Sequence, residues 1–204
     1  MSGLSMRAAM IAVAACALGC VSGQPTTAVA LGDSVSPSAL PTRAIDGTPL
    51  VAGTAATVYY FAGPECPIAR AYSPDVARNV ERDGGRGIYW VMVFPEDDIT
   101  TEMVREFQRD YSLPIPAVIE GSVDLCCTLG VTAIPSVAVI GADGRLLYRG
   151  RIDNRYKGLG TTYGPPTKRD LEEVTNAIAA GTPLPPASTT AVGCVLAPCG
   201  TAHR

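Results

Sequence analysis

The chain has 204 residues, 47% of them hydrophobic and 17% charged, with a formal net charge of -3. That length and composition bury one core and fit a single globular domain with tails. The charge supplies no basic patch for a phosphate backbone, which argues against nucleic acid as a partner. The lone His203 and the lack of paired Cys-x-x-Cys elements argue against a metal site.

Residues 1–20 read as an export signal, since Arg7 gives a positive start and the apolar run from Ala8 is too short to span a bilayer comfortably. The run ends in Ala17-Leu-Gly-Cys20, which resembles the bacterial lipobox, and Val13-Ala-Ala-Cys16 offers a second site of that kind. Cys20 leaves the longer apolar region and is the preferred lipidation site. It would make the chain a periplasmic, membrane-anchored lipoprotein, and the plain alternative is an ordinary cleaved signal. Residues 21–40, rich in Ser, Thr, Pro and Gly, read as a linker. The domain then spans 41–181, followed by a Cys-bearing tail over 182–204.

Within the domain, residues 42–47 predict an opening strand and an Asp-Gly turn, and 58–61 a central strand. Residues 66–82 carry Ile68, Tyr72, Val76 and Val80 at four-residue steps, which predicts a helix with one apolar stripe, ended by Gly84 and Gly85. The uncharged run 87–94 predicts a strand buried on both faces. Its end, at Pro95 and Glu96, opens towards the same sheet edge as Cys66, while the cluster Glu96-Asp-Asp98 reads as a solvated turn. Thr100 or Thr101 caps a helix through Tyr111, with Met103, Val104 and Phe107 inward. A short strand at 117–119, a short helix at 123–129, and strands at 137–140 and 146–148 joined by the Asp143-Gly144 turn follow. Residues 167–181 predict the clearest helix, capped by Thr167 and stopped by Gly181.

Cys66 lies where the strand gives way to the first helix. The unpaired N–H groups and positive dipole end of a helix's first turn favour thiolate over thiol, and Pro67 fits that turn because its missing N–H costs nothing there. The competing structural reading makes Cys66 a small buried hydrophobe. Pro135 stands at the first residue of a strand, where proline is tolerated and where the Ile134–Pro135 bond can be cis.

A strand, Cys-Pro at a helix start, a distant Ile-Pro before a strand and a hairpin turning at Asp-Gly resemble the thioredoxin-like superfamily. The likeness is to its redoxin (alkyl hydroperoxide reductase/thiol-specific antioxidant-like) branch, over residues 30–180. Cys66-Pro-Ile68, Tyr148-Arg-Gly-Arg-Ile-Asp153 and Val192-Gly-Cys194 are similar to runs in exported bacterial members of that branch. The resemblance implies an α/β fold with a central mixed sheet flanked by helices. It also implies a reactive thiol at Cys66, and a cis-Pro135 lying against it and shaping the substrate groove. Pro67, Ile134 and Arg151 are the expected substrate contacts, and no cofactor is expected. The implied partners are a protein or small-molecule thiol or disulfide and an electron donor that the resemblance does not name.

A local two-thiol site needs a second cysteine three residues after the first, and that position is Ala69, so the resolving thiol must come from elsewhere. Glu65 stands where thioredoxins carry Trp, and its like charge opposes a thiolate. Peroxiredoxins place Thr three and Pro seven residues before their cysteine; here those positions hold Gly63 and Tyr59. Beyond the signal, Cys66, Cys126, Cys127, Cys194 and Cys199 make an odd set, so at least one is free or pairs with another molecule.

Cys194 is the expected partner of Cys66. It lies on a tail after the last helix and follows Gly193, which permits close backbone approach, and loop length adds entropy only logarithmically. Cys126 and Cys127 are the runners-up, although as helix neighbours they diverge and do not bond each other. One of them packs inward and the other is available to approach Cys66. Cys199 is free or pairs with Cys194. Arg149, Arg151 and Arg155 either supply positive potential near the thiolate or form a solvated edge with Asp153 as partner. The function expected is an exported thiol-disulfide oxidoreductase with Cys66 as nucleophile. Its rivals are a thiol peroxidase and a non-catalytic scaffold with a permanent Cys66–Cys194 disulfide.

Overall fold

In the computed structural model, which describes residues 27–120, 124–162 and 164–199, the apolar runs form the centre of a six-stranded sheet. Cys16, Cys20, the signal segment and His203 lie outside the described residues. In chain order the elements are β1 (Ala56–Phe61), α1 (Pro67–Asp83), β2 (Ile88–Phe94), α2 (Thr101–Asp110), β3 (Ala117–Ile119) and α3 (Asp124–Leu129). Then come β4 (Ala133–Ile134), β5 (Ser136–Gly141), β6 (Leu146–Gly150), β7 (Tyr156–Gly158), β8 (Thr161–Thr162), α4 (Asp170–Ala179), β9 (Ala187–Ser188) and β10 (Cys194–Val195).

The sheet order is β3-β2-β1-β5-β6-β9, and two small ribbons, β10-β4 and β7-β8, stand apart from it. β1 runs parallel to β2 and antiparallel to β5, so the sheet is mixed. Every residue of β1 is buried, as an uncharged strand flanked by partners on both edges must be. α1 buries Ile68, Tyr72 and Val76 along its predicted stripe, and Pro74 inside it supplies no N–H to the Arg70 carbonyl. The helix ends where Gly84 donates back to Val80 and Glu81, and Gly85 takes a positive φ of 77°. Thr100 caps α2, its hydroxyl accepting the Met103 N–H at 3.2 Å, and Phe107 packs edge-on against Phe94.

Four expectations need correction. Residues 42–47 make a turn with one isolated bridge, Arg43 to Pro49, in place of the expected opening strand. α4 starts at Asp170, and Thr167 does not cap it: Asn154 takes the Thr167 and Lys168 N–H groups at 3.0 Å and donates to the Thr167 hydroxyl. The described part of the supposed linker is packed on the domain. Val29 donates to Thr128, Gly32 to Leu146 and Val35 to Gly144, and Val35 is buried. The tail is docked as well, since β9 extends the sheet beside β6 and β10 pairs with β4. No described helix is long and apolar enough to cross a membrane, and no group of potential metal ligands occurs among the described residues.

Candidate active site

The end of β1 delivers the chain to a tight turn in which the Cys66 N–H donates to the Gly63 carbonyl at 3.0 Å. Cys66 then occupies the N-cap of α1 with extended backbone, Pro67 is the first helical residue, and the Cys66 side chain is buried. The buried Pro135 joins β4 to β5 through a cis bond with Ile134. The Ile134 carbonyl accepts the Cys66 thiol at 3.5 Å. Helix start and cis-proline loop, distant in sequence, therefore meet at one sulfur.

Cys194 completes the group. β10 runs antiparallel to β4 with Cys194 opposite Ile134 and Val195 opposite Ala133, and the Leu196 N–H reaches Thr132 at 3.0 Å. This register sets the Cys194 thiol 3.0 Å from Cys66 Sγ, to which it donates. A disulfide requires about 2.05 Å, so only about 1 Å of approach separates the dithiol from the bonded form. Gly193 makes the approach possible: a Cβ there would lie 1.8 Å from the Ile134 carbonyl oxygen and 2.5 Å from its carbon.

Burial, the hydrogen bond to Cys66 and the nearby Cys66 and Glu96 charges push the Cys194 thiol up to about 11. Glu96 is not the solvated residue expected. Its Oε2 is buried without a hydrogen-bond partner and packs on Gly63, whose Cβ, were there one, would also sit 2.7 Å from Ile134 Cδ1. Burial, then Asp98 and Glu65, hold the Glu96 carboxyl above the usual range. Asp97 and Asp98 are exposed, as a solvated turn requires. Glu65 is paired at 3.5 Å with Arg70, both exposed, so its repulsion of a thiolate is largely compensated.

The remaining cysteines are arranged otherwise than expected. Cys127 and Cys199 form a disulfide with Cα atoms 5.6 Å apart, so Cys199 is neither free nor joined to Cys194, and Cys127 is not available to Cys66. Cys126 is a buried free thiol whose burial raises its pKa, the inert inward-packing member of the adjacent pair. The arginines are committed to the scaffold. Arg151 binds Asp170 at 2.8 Å, Arg155 pairs with Asp153 and Asp75 while stacking on Tyr72, and Arg149 donates to the Val29 and Leu129 carbonyls. The charges of Arg151 and Arg155 are met by carboxylates where they stand, whereas Arg149 is held by backbone carbonyls. At the two peroxidase positions, Gly63 offers no hydroxyl and Tyr59 is buried.

No protein-family profile matches the chain, and no curated protein does. Solved structures do resemble it. An uncharacterized conserved protein from Geobacillus kaustophilus aligns with TM-score 0.73 and 20% identity over 85% of this chain and 94% of its own. A hypothetical protein from Sinorhizobium meliloti 1021 aligns with TM-score 0.70 and 19% identity over 83% and 94%. The thioredoxin domain of a thiol-disulfide oxidoreductase from Bacteroides vulgatus gives TM-score 0.54 and 10% identity over 74% and 99%. The likeness to that last domain is one of fold, and the chain, with its mixed central sheet flanked by helices, is accordingly a thioredoxin-fold protein.

Proposed function

We propose that the protein is a thiol-disulfide oxidoreductase in which Cys66 attacks and Cys194 resolves. The observation that carries this reading is the pair of free thiols held 3.0 Å apart at a helix start beside the cis-proline loop. The oxidoreductase from Bacteroides vulgatus, alike in fold, supports the chemical class.

In the reducing direction the Cys66 thiolate attacks one sulfur of a substrate disulfide. The substrate S–S bond breaks, a Cys66–substrate disulfide forms, and the departing thiolate takes a proton. Cys194, once deprotonated, attacks Cys66 Sγ and expels the second substrate thiolate, which also takes a proton. The substrate gains two electrons and two protons, and the protein is left with a Cys66–Cys194 disulfide. An external dithiol restores it by the same exchange, and the reverse sequence oxidises a substrate dithiol.

The order of attack follows from where the proton is held. Cys194 spends its proton on Cys66 and is pushed up to about 11, so it stays protonated while Cys66 reacts first. Glu96, half-buried with its Oε2 enclosed and unpartnered against Gly63, is the group suited to receive the Cys194 proton at the second step. Pro67 is exposed at the rim, while Ile134 and Pro135 are buried and β10 lies against Ile134. The substrate class is a protein or small-molecule thiol or disulfide. The site of action is the periplasmic face of a membrane, with Cys20 as lipid anchor.

Glutathione disulfide serves as a test substrate. The Cys194→Ser form should accumulate a Cys66–glutathione mixed disulfide detectable by intact mass, the unsubstituted chain should convert it to Cys66–Cys194, and Cys66→Ser should form neither. A Cys66 that stays unmodified in the Cys194→Ser form overturns the reading.

A further inference from the structure

We infer that the Cys127–Cys199 disulfide is a positioning device that holds Cys194 against Cys66; the inference rests on reading those two cysteines as a redox pair. β10 is only two residues long, and its ladder to β4 consists of Cys194 opposite Ile134 and Val195 opposite Ala133. Val195 is 83% exposed, so the strand has little buried apolar surface to keep it in place. A two-stranded ribbon of this kind is marginal by itself in water.

What fixes it lies on either side. Upstream, Thr189 is tied to β6: its N–H reaches the Arg149 carbonyl at 3.1 Å, and its hydroxyl bonds the Tyr148 hydroxyl at 2.6 Å and takes the Arg151 N–H at 3.0 Å. Downstream, the covalent link joins Cys199 to Cys127, a buried residue of α3. Cys194 stands midway, five residues from each anchor.

The link also lands in the right place. Only residues 130–132 separate α3 from β4, and that connection is folded back by Gly130 donating to Cys127 and Val131 to Cys126. The helix that carries the clamp and the strand that receives β10 are therefore one short rigid unit. Tail and cis-proline loop are fastened to the same body. With the clamp cut, the downstream side of Cys194 is held only by the Leu196 N–H to Thr132 and the packing of Leu196, and its effective concentration at Cys66 falls.

The test is a glutathione redox titration of the full chain, with acid quench, alkylation and mass readout of the Cys66–Cys194 peptide. It compares the unsubstituted chain, Cys199→Ser, the Cys127→Ala/Cys199→Ser double form, and a chain that keeps the disulfide but carries Gly-Ser-Gly-Ser inserted after Ala197. Removing the clamp should lower the equilibrium constant for Cys66–Cys194 formation about tenfold or more, a midpoint about 30 mV more oxidising, and the insertion should shift it the same way by less. Equal midpoints in all four chains overturn the inference. If the substituted forms fail to fold, the insertion form decides it. If the unsubstituted chain never forms Cys66–Cys194, the functional reading falls and takes this one with it, whereas a normal unsubstituted titration with unmoved variants removes only the positioning role.

Discussion

Gly193→Ala puts the geometry of the thiol pair to a steric test. A Cβ at this position would stand 1.8 Å from the Ile134 carbonyl oxygen, 2.5 Å from the carbonyl carbon and 3.0 Å from the Pro135 nitrogen, all of them backbone atoms. An ordinary contact begins at about 3.4 Å, so β10 must move off the cis-proline loop by about 1.6 Å. The Cys66–Cys194 sulfur separation of 3.0 Å then widens to roughly 4 Å, beyond reach without rearrangement. Misplacement of reacting groups by about 1 Å costs on the order of a hundredfold in rate. Gly193→Ala should therefore slow formation of the Cys66–Cys194 disulfide from the mixed disulfide by about a hundredfold while leaving attack by Cys66 intact. Gly158→Ala, where nothing stands within 4 Å, is the control and should leave both steps unchanged. The assay is stopped-flow mixing with glutathione disulfide, quenching and mass analysis of both disulfides over time. Resolution at the unsubstituted rate in Gly193→Ala would refute the steric argument.

The raised Cys194 thiol makes the resolving step pH-dependent. Burial still raises that thiol in the mixed disulfide, where the Cys66 charge is gone, so the rate should go on climbing about tenfold per pH unit past the ordinary thiol value of roughly 8.5, and a plateau there would contradict the burial argument. Glu96→Gln separates two roles: loss of a proton acceptor slows resolution at pH 7, whereas loss of a mere negative field speeds it, and the slower outcome is expected. The Glu96 carboxyl is raised in the folded state, so its ionisation opposes folding as pH rises from the unfolded towards the folded value; Glu96→Gln should raise Tm at pH 8 and leave it unchanged at pH 3. Asp153→Ala takes the carboxylate away from the Tyr72 hydroxyl and from the half-buried Arg155, which keeps Asp75, so urea unfolding should show a loss of roughly 1–3 kcal/mol, and no measurable loss would count against it. Mass spectrometry of the mature N-terminus should find an acyl group on Cys20, and an unacylated N-terminus elsewhere would remove the membrane anchor.

The strands at 58–61 and 87–94 were legible because uncharged β-branched and aromatic runs have no stable place but the middle of a sheet. Cys66 and Pro135 were legible because punctuation by proline marks a helix start and a strand start, positions where their chemistry differs from that of the same residues elsewhere. The close approach at Gly193 showed in the residue type alone. The Cys127–Cys199 link did not, since spacing fixes no connectivity among several cysteines. The docked tail and the segment 27–40 were hidden for another reason: they attach through backbone hydrogen bonds and bury few large side chains, so their composition looks like that of a linker. Thr167 looked like a cap because nothing in sequence announces that Asn154 claims it. Glu96 read as a turn residue because a carboxylate after a strand usually is one, and only packing against Gly63 reveals otherwise. The arginines after β6 needed their partners on α1 and α4, which no local pattern supplies.

The most direct test of the account is disulfide mapping of the unsubstituted chain across a glutathione redox titration. The structure predicts that Cys66–Cys194 forms and breaks reversibly as the buffer changes, with Cys127–Cys199 present beside it and Cys126 free throughout. A Cys66 that stays reduced at every potential, or a Cys194 found bonded to Cys199, would contradict it.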